Sequence, residues 1–190
     1  AERAKANPDV PVDANSFFKR LTYQDAKDEK LHYQLMEPVP TASAAKTAKY
    51  PLVIFLHGSG ERGARNNEQM KNGVHAFCEK DMRAKHPCYL LVPQCPPGEV
   101  WGGVTRDWQQ VVFNDSTYSR SGKLVIELIE KMLRENPDID PTRIYITGLS
   151  MGGFGTFDLM MRRPDLFAAG LPICGGADPA FAGRIKNIPI

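Results

Sequence analysis

The chain lacks most of the features that would place it outside the ordinary globular enzymes. No apolar run approaches the roughly 20 residues of a membrane-spanning helix. Charge of one sign is missing too. A formal net charge of +2, with no cluster of lysines or arginines, leaves nucleic acid without an electrostatic footprint to bind. Cysteine is sparse, at 78, 88, 95 and 174, in a pattern that fits neither a dense disulfide framework nor a zinc site. Cys174 ends an apolar run and reads as a small buried hydrophobe, while a Cys78–Cys88 bridge stays open for an exported protein. Histidine is confined to His32, His57, His75 and His86, so everything after residue 86 is without one. What is present is unremarkable in bulk: 190 residues, 42% hydrophobic and 24% charged, which excludes a disordered chain and fits one domain with a real core. Residue 1 is Ala, as a trimmed start or a removed export signal would leave it, so a periplasmic or extracellular protein is the expectation.

Along the chain, Ala1 to Ala14 reads as a loosely held polar leader. Phe17–Tyr23 and Leu31–Met36 alternate weakly around a charged turn, the pattern of an antiparallel hairpin at a sheet edge. An exposed linker follows over 38–49. Leu52–Leu56 (LVIFL) and Tyr89–Val92 are short apolar runs, as expected of strands covered on both faces. A helix is expected from about Glu68 to Lys85, and a long loop from Gln94 to Asp107 after the second of these strands. Ser121–Glu135 is the clearest helix: Val125, Leu128, Ile129 and Met132 form one apolar stripe, and Asn136-Pro137 stops it. A strand over Ala169–Cys174 and the first residues of another at Ile188–Ile190 complete an alternation of strands and helices. That alternation demands a mostly parallel sheet with right-handed crossovers and helices on both faces, an α/β fold.

The chemistry is concentrated at Arg143 to Phe154, RIYITGLSMGGF. An alternating strand pattern runs into Gly148-Leu149-Ser150-Met151-Gly152, and a helix over Gly153–Arg163 follows at once. G-x-S-x-G between a strand and a helix is the nucleophile elbow. Side chains at Gly148 and Gly152 would collide with the neighbouring strand and helix, and the sharp turn lifts the Ser150 hydroxyl above the sheet at the positive end of the helix. The bland alternative is a glycine-rich turn whose serine caps the helix. A second glycine-rich loop, His57-Gly58-Ser59-Gly60-Glu61-Arg62-Gly63, ends the LVIFL strand. It lacks the G-x-x-x-x-G-K-[ST] spacing and the lysine of a phosphate loop. Its place is that of a loop supplying an oxyanion-binding N–H, alongside the N–H of the residue after the nucleophile, Met151.

Taken together, YPLVIFLHGSGERG (Tyr50–Gly63), LLVPQCP (Leu90–Pro96) and RIYITGLSMGGFGT (Arg143–Thr156) resemble the α/β-hydrolase superfamily. They are most similar to the esterase branch that holds feruloyl and acetylxylan esterases, polyhydroxyalkanoate depolymerases and predicted peptidases. The resemblance runs from about Phe17 to Ile190. It implies Ser150 as nucleophile, with Met151 and Ser59 as oxyanion donors, Gly58 or Gly60 being alternatives to Ser59. Trp101 on the long loop is either a wall of the substrate pocket or an aromatic clamp on the loop. Glu61 and Arg62 either orient a polar group of the substrate or pair with each other. No cofactor and no metal are implied.

A serine needs a base, and the base needs a carboxylate to orient it. In this superfamily both follow the nucleophile, yet no histidine follows Ser150. His57 has the position of a structural residue in the oxyanion loop; Asp165 and Asp178 are the aspartates downstream. The expectation is therefore one domain over 1–190 that is the front part of a longer enzyme, with its acid and histidine beyond Ile190. Three functions compete: a serine carboxylic-ester hydrolase acting on polysaccharide-linked or other acyl esters, a peptidase using the same elbow, and a catalytically silent module binding a glycan or a protein.

Overall fold

A computed structural model describes residues 17–39 and 48–190, except 106, 108 and 117. The expected leader and most of the expected linker lie outside the described residues. Six strands form one sheet: β1 (Phe18–Gln24), β2 (Lys30–Met36), β3 (Tyr50–Leu56), β4 (Tyr89–Pro93), β5 (Ile139–Leu149) and β6 (Ala169–Ile173). Their order is β1-β2-β4-β3-β5-β6. β1 and β2 make the antiparallel hairpin at one edge, and β2 joins β4 antiparallel. β4, β3, β5 and β6 run parallel to one another. The hairpin turn is closed by Asp25, whose Oδ1 accepts from the N–H groups of Lys27 (2.8 Å) and Glu29 (2.9 Å).

The uninterrupted apolar run of β3 explains itself by its two faces. Leu52, Ile54 and Leu56 enter the larger core with helices α3 (Arg120–Glu135) and α4 (Met151–Arg162). Phe55 enters a second core on the other face with Val74, Cys78 and Met70, and Val53 packs against that core. A strand buried on both sides has no polar face to show, so alternation disappears. Ser119 caps α3, its side chain accepting from the Gly122 N–H at 3.0 Å, and the Asn136 side chain closes the other end on the Met132 carbonyl at 2.9 Å.

Four readings of the sequence need correction. The single helix over 68–85 is a 3-10 turn at Glu68–Met70 followed by two short helices, α1 (His75–Cys78) and α2 (Lys80–Lys85). Gly73 breaks it with φ 81, at a point where a Cβ would run into the Phe55 ring. The strand ending at Cys174 stops at Ile173 and is half open: Leu171 is 60% exposed, and Cys174 is exposed with φ 53 rather than buried. Cys78 and Cys88 are free thiols and form no bridge. Ile188–Ile190 is not a strand, though the Pro189 carbonyl accepts from the Gly170 N–H at 3.0 Å.

Candidate active site

From β3 the chain moves outward to β4 on one side and later to β5 and β6 on the other, so β3 and β5 are adjacent strands whose connections leave in opposite directions. A crevice at the carboxyl ends of such strands is where open α/β sheets bind ligands. The two glycine-rich turns flank it. The pairing of Leu56 with Gly148 places the loop starting at His57 beside the turn carrying Ser150.

Ser150 is exposed, with φ 54 and ψ −114. That geometry is one a serine adopts only when its surroundings impose it. A Cβ at Gly152 would overlap the Leu56 carbonyl oxygen, and one at Gly148 would overlap the Gly152 carbonyl. The strand, the turn and the helix thus touch backbone to backbone. The Ser150 N–H is held by the Ile173 carbonyl at 2.8 Å, and its carbonyl accepts the Phe154 N–H at 3.1 Å. The hydroxyl makes no capping bond to its own helix, so the capping alternative fails and the oxygen stands clear at the positive end of α4. Met151, first residue of that helix and buried, has an N–H with no acceptor inside the helix.

Ser59, exposed, opens a 3-10 turn over Ser59–Glu61. The orientation of its N–H follows from its neighbour. The Gly58 carbonyl accepts from His57 Nδ1 at 2.6 Å and from the Glu61 N–H at 3.3 Å. Gly58 C=O and Ser59 N–H belong to one trans peptide and point in opposite directions, so pinning the first aims the second. His57 itself is 1% exposed, and its Nε2 accepts from the Cys95 N–H at 2.9 Å. Both ring nitrogens are therefore committed to backbone, with the proton on Nδ1. Burial drives the His57 pKa down to about 4, against the smaller opposing effect of its bond to Gly58. A neutral, enclosed imidazole of this kind cannot take a proton from Ser150; it holds the loop.

Trp101 is 0% exposed, and its Nε1 donates to the His57 carbonyl at 3.0 Å while the two rings meet edge to face at 5.1 Å. It is the clamp, not a pocket wall. Glu61 is buried and its carboxylate accepts from the Asn72 side chain. Arg62, half-buried, brings Nε to 3.3 Å from the Met151 sulfur, linking the two turns across the crevice. All three side chains thus lie beside the turns that carry Ser59 and Met151.

Sequence reasoning missed the fastening of the long loop. Asp158 on α4 is 1% exposed and pairs with Arg162 at 2.7 Å. Burial raises the Asp158 pKa, while the Arg162 guanidinium and the Gly103 N–H oppose the rise. Arg162 also lies over the rings of Phe113 (4.7 Å) and Tyr118 (4.4 Å). The i, i+4 spacing of opposite charges was visible in the sequence; its burial under a loop from elsewhere in the chain was not.

The remaining titratable candidates point elsewhere. His32 Nδ1 shares a 2.9 Å bond with the Thr22 hydroxyl. His86 lines a cavity of about 440 Å³ with Lys49, Tyr50 and Arg143, at the amino ends of β3 and β5 and so at the wrong edge of the sheet. Asp165 pairs with Arg163 at 2.8 Å before β6 begins, and Asp178 accepts from the Ala180 N–H at 3.0 Å. Among the described residues no histidine bonds to Ser150, no cluster of His, Cys, Asp and Glu could hold a metal ion, and no helix is long and apolar enough to cross a membrane.

Residues 100–189 match the model of the prolyl oligopeptidase family. Among curated proteins, a poly(3-hydroxyalkanoate) depolymerase C of Paucimonas lemoignei is 30% identical over 143 residues, 75% of this chain and 31% of that protein. A poly(3-hydroxybutyrate) depolymerase of Ralstonia pickettii is 27% identical over 152 residues, 79% and 30% of the two chains. The solved structure of a thermostable esterase superposes with a TM-score of 0.82 at 42% identity, over 92% of this chain and 45% of that one. The chain spans less than a third of the two curated relatives and under half of the esterase.

Proposed function

The chain belongs to the α/β-hydrolase superfamily, and on that premise we propose that it carries the nucleophile and oxyanion hole of a serine carboxylic-ester hydrolase. Ser150 Oγ attacks the ester carbonyl, the alcohol leaves, and water releases the acid from the acyl-enzyme. The Met151 and Ser59 N–H groups receive the negative charge on the carbonyl oxygen in each tetrahedral intermediate. One observation carries this reading: Ser150 is exposed in a strained backbone, with its hydroxyl uncommitted to the helix it begins. The base and its orienting carboxylate belong, in this proposal, to polypeptide outside the 190 residues. The commitment of both His57 nitrogens and the greater length of the relatives support that assignment.

The proposed substrate is an acyl ester held on a polymer. The likeness to two polyester depolymerases favours a hydroxyalkanoate over a polysaccharide-linked ester. Export, where the enzyme would meet such a polymer outside the cell, is part of this proposal. A peptidase is the second reading, supported by the prolyl oligopeptidase match.

A fluorophosphonate applied to the full natural protein tests the core of the proposal. One covalent adduct mapped to Ser150, and lost in Ser150→Ala, is expected. No adduct would leave a silent binding module. Matched p-nitrophenyl esters and p-nitroanilides then separate esterase from peptidase, with turnover of the ester expected.

A further inference from the structure

The last residue of the Ser59–Glu61 turn carries a side chain whose place the proposed chemistry does not explain. Glu61 is 8% exposed, and a carboxylate taken that far out of water needs a partner. Its Oε1 accepts from the Asn72 side-chain amide. A carboxylate only accepts, so the amide nitrogen of Asn72 must be the donor and the orientation of that amide is fixed. The other oxygen, Oε2, lies against Gly58. A Cβ at Gly58 would meet it at 2.9 Å, with the Leu149 carbonyl oxygen at 3.5 Å and Ser150 Cβ at 3.9 Å. The side chain is thus packed on the residue whose carbonyl sets the Ser59 N–H, on the side facing the elbow.

The far end of this tether is anchored to the strand that delivers the turn. Asn72 precedes Gly73, whose φ of 81 and lack of a Cβ let it press on the Phe55 ring. Phe55 belongs to β3, which ends just before His57. Strand, turn, Glu61, Asn72 and Gly73 therefore close into a ring of contacts. Within it the Gly58 carbonyl takes two donors, His57 Nδ1 at 2.6 Å and the Glu61 N–H at 3.3 Å. The second is the longer bond, and its donor belongs to the residue whose side chain is tied down.

We propose that Glu61 is a positioning residue for the oxyanion hole. Its side chain, bound to Asn72, keeps the Glu61 N–H on the Gly58 carbonyl and so keeps the Ser59 N–H aimed into the crevice. It governs the direction of one donor and makes no contact with substrate. This inference rests on the esterase reading above, since the developing oxyanion is what gives that direction a consequence. A misaimed donor stabilises the transition state less while leaving ground-state binding nearly unchanged. Losing a donor outright costs about 10²–10³ in kcat, so loosening one should cost roughly tenfold.

The Asn72 side chain is exposed, so Asn72→Ala cuts the tether without opening the core. In the full natural protein, Asn72→Ala and Glu61→Ala should each lower kcat on a p-nitrophenyl ester about tenfold with KM unchanged. A trifluoromethyl ketone, whose adduct with Ser150 bears the oxyanion, should bind more weakly by the same factor. The double variant should be no slower than either single one, because both cut the same link. Glu61→Gln keeps an acceptor oxygen for Asn72 and should hold kcat within about twofold. An Asn72→Ala enzyme with wild-type kcat and analogue affinity would overturn the proposal, whatever happens to the folding of the Glu61 variants. So would a Glu61→Gln enzyme as slow as Glu61→Ala, or a rise in KM alone, since either would make the carboxylate a group that meets substrate. A wild-type protein with neither ester turnover nor a Ser150 adduct would remove the esterase reading itself, and this inference with it.

Discussion

Ser150 occupies φ 54 and ψ −114, a conformation open to glycine and costly to serine. Ser150→Gly should therefore raise the unfolding free energy by about 1 kcal/mol in urea titrations while abolishing fluorophosphonate labelling. A gain in stability coupled to loss of reactivity would identify the strain as serving the site. His57 makes the second residue-scale prediction. The unfolded residue titrates near 6.5 and the folded one near 4, so between those values the unfolded chain binds the extra proton. Stability should fall as pH drops from 6.5 to 4, by roughly 3 kcal/mol from this group, and level off below. Urea midpoints at pH 7 and pH 4 should show this slope in the wild type and lose that part of it in His57→Gln. Ser150 was legible in the sequence because a tight turn writes itself in adjacent glycines. The buried clamp of Trp101 and the exposure of Cys174 were not, since both depend on contacts with segments distant in sequence.

At the scale of elements, β5, the elbow and α4 behave as one unit because glycines let their backbones touch. Gly152→Ala would place a methyl group inside the Leu56 carbonyl oxygen, with no flexible side chain to give way. A loss of about 3 kcal/mol or more is expected, at the upper end for single substitutions, read as a lowered urea midpoint with an unchanged slope. The same alanine at Gly60, where nothing lies within 4 Å, should be nearly neutral in stability. Local pattern captured this unit and α3 to within a few residues. It failed at 68–85, where the helical pattern is interrupted by Gly73 meeting the Phe55 ring, a contact between segments that no local window contains.

At the scale of the whole sheet, the two faces are unequally covered among the described residues. α3 and α4 lie together on one face, with the larger core. On the other, α1 and α2 stop short of β6, and Val53, Phe77, Tyr145, Thr147 and Leu171 line an open groove of about 260 Å³. An exposed apolar strand at a sheet edge invites association. In the 190-residue chain, Leu171→Lys should lower light scattering at high protein concentration while shifting unfolding stability by no more than about 0.5 kcal/mol. Parallel topology and the helix layers could be read from alternation alone. The unequal covering could not, because Ala169–Ile173 reads the same whether a neighbour lies over it or not.

The two proposed donor turns leave from adjacent strands, and this makes the sheet a gauge. Backbone hydrogen bonding holds neighbouring strands about 4.8 Å apart whatever side chains they carry, and Leu56 is in register with Gly148. The width of the cradle for a carbonyl oxygen is thus set by peptide geometry, which substitutions cannot stretch. Variation among such enzymes must then act on what reaches the cradle, through the loops that rise after β4 and β6, and the cradle itself can pass unchanged from one substrate to the next.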